Sequence, residues 1–286
     1  MKKALLYSIF ALSIASTTLT SCEDIFGGFL DKQPSNELTG EQVFSDWNLT
    51  VQFHLDTYNF LRHGAGRIST TWLDAATDLA ETSYGNGVRT SFNIGNFYGG
   101  SGASELVDTW EHYYRGIRKC NMLLTRIEEV PQNPADSEDK YNRDKKNYIA
   151  EARFLRAYFY WELFLRYGPI PIVTEVLDPD GDLMSKYTIR PTTKEYVVDF
   201  ILEELKSCED DLLDYKTAWT SSSAGRIGQP MACALRSRIM LFMASPRYSS
   251  ESGITWQQAA NVAKEFIDNY GTNFALFNDK DATGAT

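Results

Sequence analysis

Apolar residues recur every three or four positions through six long stretches of the chain, and no stretch gives a convincing alternation of apolar and polar residues. This spacing places side chains on one face of an α-helix, whereas a β-strand requires a period of two. Three stretches open on a capping pair, in which Thr is followed three residues later by Gln or Glu. The predicted helices cover residues 39–64, 106–130, 141–167, 192–212, 229–244 and 255–270.

The short linker between the second and third predicted helices implies that they run antiparallel. The sequence therefore predicts an all-α fold of tetratricopeptide-like antiparallel helix pairs. No strict repeat occurs at a fixed spacing, so the periodicity supports helical pairs more strongly than a named repeat. The stripes expected to face the core include Trp47, Leu55, Trp110, Tyr113 and Leu155. Residues 170–173 are expected to form at most a short extended piece.

An irregular insertion at residues 64–103 interrupts the helical pattern, because its glycines disfavour any helix longer than a short one at 71–79. The insertion combines aromatic rings with amide and charged side chains. Sugar recognition needs flat rings against the C–H face of a pyranose and planar polar groups against its hydroxyls. The candidate platforms are Trp72, Tyr84, Phe97 and Tyr98, and the candidate hydrogen-bonding residues are Asp78, Arg89, Asn93 and Asn96. The alternative is that these residues only pack the loop onto the helices.

The first 21 residues have the features of a secretory signal peptide: two lysines, an apolar run at residues 4–15, and small residues before Cys22. The apolar run is too short for a bilayer, which needs about twenty helical residues. Residues 19–22 (Leu-Thr-Ser-Cys) resemble the bacterial lipoprotein cleavage box, which makes Cys22 the predicted lipidation site. We therefore expect a signal peptide at 1–21, a lipid-anchored tether at 22–38 and a helical domain at 39–286.

The charge balance excludes several classes of partner. The formal net charge is −10, and it becomes −12 when Lys2 and Lys3 leave with the signal peptide. A chain this acidic repels the phosphates of nucleic acid, so no nucleic-acid partner is expected. Membrane attachment is expected to depend on acyl chains rather than on a basic patch. The remaining cysteines are predicted to be small buried thiols: Cys120, Cys208 and Cys233.

Catalytic and metal-binding patterns are weak. The histidines at 54, 63 and 112 form no HExxH motif. Residues 178–182 place three Asp at alternate positions, but the run departs from the EF-hand template and is predicted to be a solvated acidic turn. The sequence therefore predicts neither an enzyme nor a cofactor. Binding of calcium to the acidic turn is an open but less favoured alternative.

Polar residues on the helix stripes are predicted to be structural. Glu162 and Arg166 stand four apart, the spacing of a helix-stabilising ion pair. Asn121 lies beside an apolar stripe, where an unsatisfied amide would be costly, so it is expected to bond to a neighbouring helix.

Six phrases of the sequence, in this order and spacing, are similar to the SusD/RagB family of outer-membrane nutrient-binding lipoproteins of Bacteroidetes. They are FLDKQP (29–34), LTGEQVF (38–44), YYRGIRKCNMLL (113–124), AEARFLRAYFYWELFLRYGPIPIV (150–173), RPTTKEYVVDFILEEL (190–205) and GRIGQPMACALRSRIMLFMASPRY (225–248). The resemblance implies a tetratricopeptide-like α-helical protein, lipid-anchored and surface-exposed at the outer membrane. It also implies that the chain caps a SusC-type TonB-dependent transporter and captures oligosaccharides, or in some members peptides.

The resemblance also bears on the ligand site and on the length of the chain. An Asp at the position of Asp78 and an aromatic residue before the Trp110 helix, here Phe97 or Tyr98, often contribute to the ligand site of the family. The family pattern continues beyond residue 277, so a C-terminal region that completes much of the site is expected to be missing. The functional expectation is surface binding of oligosaccharides or polysaccharides; the alternatives are a peptide-binding member of the family and a helical-repeat scaffold without a small ligand.

Overall fold

The computed structural model describes residues 39–62, 73–80, 94–95, 108–178, 180–182, 187–218, 220 and 223–274. From Glu41 on, the described residues belong to one compact unit. Its α-helices are α1 (Gly40–Phe44), α2 (Trp47–Asp56), α3 (Thr109–Arg126), α4 (Glu138–Tyr167), α5 (Glu203–Cys208), α6 (Tyr215–Ala218), α7 (Gln229–Met243), α8 (Ser249–Ser252) and α9 (Trp256–Tyr270).

The predicted all-α class is confirmed. The described residues contain no β-strand, and their one sheet-like pairing is an isolated parallel bridge between Leu213 and Gly228. None of the helices within these residues combines the length and the apolar character that a membrane span requires. Short 3₁₀ turns extend α2, α3, α5 and α9, and a separate 3₁₀ turn at Leu73–Ala76 stands where the sequence predicted a short helix.

The third predicted helix starts and stops where local signals require it. The Ser137 side chain accepts a hydrogen bond from the Lys140 amide at 3.3 Å, so α4 begins at Glu138, three residues earlier than predicted. At the other end Gly168 adopts φ +68°, which a residue with a side chain rarely does, and α4 ends at Tyr167 as predicted. The capping pairs Thr192/Glu195 and Thr255/Gln258 are also confirmed by their hydrogen bonds.

The first predicted helix is wrong as a single element, because the chain breaks between α1 and α2. Asp46 has extended backbone angles, and its carboxylate accepts the Leu49 amide hydrogen at 2.9 Å. A side chain that caps a new helix in this way competes with continuation of the previous one. The break also changes which residues face inward: Leu55 is exposed, whereas His54 is buried.

The fourth predicted helix has an unexpected hydrogen-bonding pattern but the expected buried face. Its first part, Lys194–Leu202, is π-helical and continues into α5. A π-helix bonds each residue to the one five positions along, which apolar periodicity does not reveal. The predicted inward residues are nevertheless all buried: Val197, Ile201, Leu205, Cys208 and Leu212.

Helix α4 lies at the centre of the unit and packs against α3, against the π-helical segment and against α5. The rings of Tyr113 and Phe159 stack with centroids 5.6 Å apart. Gly116 permits this close approach of α3 to α4, since a Cβ atom there would lie 2.8 Å from the Phe159 ring. Helices α7 and α9 form a second tightly packed pair.

The prediction that Trp110 faces the core is wrong, because Trp110 is 42% exposed. It lies in the first turn of α3, where the facing helix α4 ends. Its ring contacts Tyr167, the last residue of α4, with centroids 5.3 Å apart. Beyond Tyr167 no further turn of α4 is present to cover the rest of the indole.

Buried ion pairs tie the helices to each other. The Glu151 carboxylate on α4 is completely buried and contacts His54 of α2 at 2.8 Å and Arg226, just before α7, at 2.6 Å. On the same helix Arg153 and Arg156 both contact Glu204 of α5, at 2.9 and 2.7 Å. The predicted pair of Glu162 with Arg166 is confirmed at 3.0 Å.

Replacing Glu151 by Gln is expected to destabilise the protein by about 3 kcal/mol, because the substitution leaves the Arg226 guanidinium without its carboxylate in a largely buried position. Glu128→Gln is the matched control: Glu128 also pairs with a cation, Lys145 at 2.9 Å, but is mostly exposed. Its loss should cost less than about 1 kcal/mol. Urea unfolding of both variants measures the difference, and equal losses would contradict the assigned importance of the buried pair.

Candidate functional site

Most residues predicted to bind a ligand or a lipid lie outside the described residues. These are Cys22, Trp72, Tyr84, Arg89, Asn93, Asn96, Phe97 and Tyr98. Asp78 is described: it is exposed in the bend that follows the 3₁₀ turn Leu73–Ala76, three residues after the buried Ala75. Its carboxylate is therefore accessible to a ligand, and its role in binding stays a prediction.

The described residues form a groove between α3 and the extended segment that follows α4. Its cavity has a volume of about 380 Å³, within the usual range for small-molecule sites. We call it the α3 groove. Its lining consists of Trp110, Glu111, Tyr114, Arg115, Ile117, Arg118, Asn121, Val173, Glu175 and Leu177.

Helical spacing explains the α3 side of the groove. Residues 110, 114, 117 and 121 lie three or four positions apart and thus share one face of α3. A rise of 1.5 Å per residue puts about 16 Å between Trp110 and Asn121 along the helix axis. The lining thus extends over about three turns of α3, from the partly exposed Trp110 to the completely buried Asn121.

The opposite wall is held in place by side chains that bond to its backbone. The Tyr114 hydroxyl donates to the Pro171 carbonyl at 2.9 Å. The Tyr160 hydroxyl both donates to the Val173 carbonyl, at 2.9 Å, and accepts the Val173 amide hydrogen, at 2.7 Å. These bonds satisfy backbone groups that have no strand partner, so the wall is ordered without a sheet.

Asn121 makes more contacts than the sequence predicted. Its side-chain oxygen accepts from Arg156 of the neighbouring helix α4 at 2.9 Å, which confirms the expected bond to a helix. Its side-chain nitrogen donates to the carbonyls of Val173 and Glu175, both at 3.0 Å. The amide thus joins α4 to the groove wall. Sequence periodicity could not reveal this second role, because the partners are backbone groups more than fifty residues away.

Two aromatic rings form the open end of the groove. The rings of Trp110 and Tyr114 lie 4.9 Å apart at 41°. Burial raises the pKa of Tyr114, so this half-buried phenol stays neutral and keeps its hydrogen bond to Pro171. The Trp110 ring also lies nearly perpendicular to the Tyr167 ring, and Trp110 remains partly exposed to solvent. Sequence reasoning missed this platform because Trp110 was assigned to the core stripe.

The rim of the groove carries charges of both signs. Arg115 and Glu111 approach to 3.8 Å on the exposed surface of α3. Arg118 donates to the Leu177 carbonyl at 3.3 Å, and Glu175 accepts from the Tyr187 hydroxyl at 2.6 Å. The groove therefore offers an apolar ring face together with hydrogen-bond donors and acceptors, which is the combination that a sugar needs.

One cluster resembles a metal site. Ligand atoms of Glu209, Cys233 and Glu265 lie within 4.8 Å of one another. Arg236, however, contacts both carboxylates, at 2.6 and 2.7 Å, and supplies the positive charge that a metal would bring. Burial also raises the pKa of the Cys233 thiol to about 11, so it is protonated at neutral pH. The cluster is best explained as a brace between α7, α9 and the turn after α5.

The predicted buried thiols are confirmed: Cys120, Cys208 and Cys233 are all free and buried.

Within the acidic run, the Asp178 side chain accepts the Asp180 amide hydrogen at 3.0 Å, and Asp178, Asp180 and Asp182 are exposed. This geometry is that of a solvated turn. The expectation that the protein binds no cofactor stays a prediction, and calcium binding at this turn stays open.

Comparison with known proteins gives consistent matches. Residues 28–241 match the model of a SusD-like family described as starch-binding and associating with the outer membrane. A SusD-like protein of Formosa agariphila is 24% identical over 228 residues, which is 78% of this chain and 41% of that protein. The chain thus spans less than half the length of this curated relative.

Solved structures show the same fold. A SusD-like protein from Bacteroides fragilis is 25% identical with a TM-score of 0.57, over 86% of this chain and 42% of that one. A SusD-like protein described as laminarin-binding is 21% identical, also with a TM-score of 0.57, over 78% of this chain and 44% of its own. These likenesses support the helical, tetratricopeptide-like architecture.

Replacing Asn121 by Ala is expected to destabilise the protein by about 2 kcal/mol, because two carbonyls and one guanidinium lose a buried partner. The groove wall should also loosen, so the Val173 amide should exchange its hydrogen faster. Asn269→Ala, at an exposed position in the last turn of α9, is the control and should change neither quantity. Unfolding in urea and amide hydrogen exchange test the pair, and an unchanged Val173 exchange rate would contradict the role of Asn121 in holding the wall.

Proposed function

Because the chain belongs to the SusD-like family, we propose that it binds glycans at the cell surface and delivers them to a SusC-type TonB-dependent transporter in the outer membrane. The family description, with its starch binding and outer-membrane association, supports the ligand class and the location. The laminarin-binding relative supports a polysaccharide ligand in particular.

The α3 groove is the observation on this chain that best supports glycan binding. Its Trp110 is 42% exposed, and the π-face of an indole attracts the weakly positive C–H groups on one side of a pyranose. Arginines and glutamates beside that face can donate to and accept from sugar hydroxyls. We propose that the predicted loop residues, including Asp78, Phe97 and Tyr98, contribute further contacts to the glycan.

The proposed mechanism is capture rather than chemical turnover. Acyl chains on Cys22 would hold the protein in the outer membrane, and this confinement raises its effective concentration at the transporter. Capture followed by release needs no catalytic group and no cofactor.

Glycan binding is tested by affinity electrophoresis of the chain without residues 1–22 in gels that contain a panel of polysaccharides, including starch and laminarin. We expect at least one polysaccharide to slow the protein, and Asp78→Ala to weaken the effect because an accessible carboxylate is lost. Asp139→Ala, which removes an exposed carboxylate in the first turn of α4, is the control. If no polysaccharide slows the protein, glycan binding is contradicted, and peptides and transporter co-purification become the next measurements.

The lipid anchor is tested by Cys22→Ala in cells of the source bacterium or another lipoprotein-processing host. We expect the variant to move from the membrane fraction to the soluble fraction and to lose labelling by a fatty-acid probe, since no other membrane attachment is proposed. Cys120→Ala removes a buried thiol instead and should leave both readouts unchanged. Membrane retention of unlabelled Cys22→Ala would rule out the acyl anchor.

A further inference from the structure

We propose that the α3 groove selects neutral glycan chains and discriminates against chains that carry carboxylate or sulfate groups. This inference rests on the proposed glycan-binding function and goes further by naming the chemical class of the ligand. The expected selectivity against charged chains depends on the balance of the groove's charges, the acidic turn beside the groove, and the mixture of donors and acceptors in its lining.

The charges that line the groove cancel. Arg115 and Arg118 are matched by Glu111 and Glu175. Each arginine also has a partner already: Arg115 faces Glu111 at 3.8 Å, and Arg118 donates to the Leu177 carbonyl. The lining therefore offers an anionic sugar no surplus of positive charge to offset its desolvation.

The chain immediately beyond the groove adds negative charge. The wall residue Leu177 is followed directly by Asp178, and Asp180 and Asp182 stand two and four positions further along, all three exposed. The whole chain has a net charge of −10, so no distant excess of cations compensates for the turn. Like charges within about 8 Å of each other still repel at physiological ionic strength, and an anionic glycan that extends past Leu177 meets this repulsion.

The hydrogen-bonding groups match hydroxyls better than anions. Guanidinium groups only donate, and ionised carboxylates only accept. A sugar hydroxyl does both, so neighbouring hydroxyls can accept from Arg118 while they donate to Glu175. A sugar carboxylate can only accept hydrogen bonds. It cannot donate one to Glu111 or Glu175, and its negative charge would be repelled by theirs.

On the α3 side of the groove, Trp110 is 42% exposed, whereas Ile117 and Asn121 are buried. Trp110 is therefore the residue on this side that is most accessible to a sugar. Trp110 has rings on two sides, Tyr114 and Tyr167, so its position is fixed before the ligand arrives. A platform that is already in place lowers the entropy lost on binding.

The experiment compares starch and laminarin with their carboxymethylated forms, which keep the same backbone and add negative charge. Affinities of the chain without residues 1–22 are measured at low and at high salt. We expect each neutral polymer that binds to do so at least about tenfold more tightly than its charged form at low salt, a gap of about 1.4 kcal/mol. High salt should narrow the gap through screening.

Variants connect the selectivity to the groove. Trp110→Ala should abolish binding of the neutral polymer and Trp110→Tyr should retain it, while Trp256→Ala, at an exposed tryptophan on α9 outside the groove lining, should have no effect. Asp180→Lys should raise affinity for the carboxymethylated polymer several-fold at low salt, and Asp139→Lys, at the far end of α4, should not. Circular dichroism verifies that each variant is folded.

The outcomes separate the inference from the function on which it rests. Equal or tighter binding of the carboxymethylated polymers overturns the selectivity but leaves glycan binding intact. Normal binding by folded Trp110→Ala shows that the glycan binds elsewhere, which overturns the inference while the proposed function stands. If neither starch, laminarin nor any other polysaccharide of the panel binds, both fail together.

Discussion

The helical arrangement depends most on the contacts that the buried Glu151 carboxylate makes with His54 and Arg226. A charge inside a protein is tolerated only when partners surround it, and here His54 and Arg226 come from segments about 97 and 75 residues away in sequence. Helix α4 must therefore sit between α2 and the start of α7, because any other placement would leave the carboxylate unpaired. Apolar packing alone would permit α4 to slide along its neighbours. The contacts of Glu151 with His54 and Arg226 restrict that movement.

The same helix carries the constraint outward to the groove. Arg156 contacts Glu204 on one side and the Asn121 oxygen on the other, at 2.7 and 2.9 Å. Asn121 in turn holds the carbonyls of Val173 and Glu175. A continuous set of charge-assisted and amide hydrogen bonds thus runs from the core to the groove wall. The wall has no sheet to support it, and its position depends on polar groups that the core fixes.

Sequence periodicity predicted a helix well where one of its faces packs against the core and a local signal marks its boundary. Thr255 marks the start of α9 in this way, and Gly168 marks the end of α4. Periodicity failed where a local side chain changed the backbone, as at Asp46, or where hydrogen bonding shifted to the π pattern after Thr193. It also failed for Trp110, because exposure there depends on where the partner helix ends. Long-range polar pairs such as Glu151 with Arg226 leave no periodic trace in a single sequence. Of the predicted site, only Asp78 lies among the described residues, and the α3 groove became apparent only from three-dimensional packing.

The architecture of the groove bears on how tightly a delivery protein should bind. One partly exposed tryptophan and a neutral set of polar groups would give a glycan few strongly buried contacts, so the proposed binding should have a modest affinity per sugar. Under the proposed function, the lipid anchor would keep the protein close to its transporter and so raise the local concentration of the loaded protein there. Modest affinity also allows release, which delivery requires and tight capture would prevent. Under the proposed function, the ordered wall and a modest affinity would together orient a glycan without retaining it.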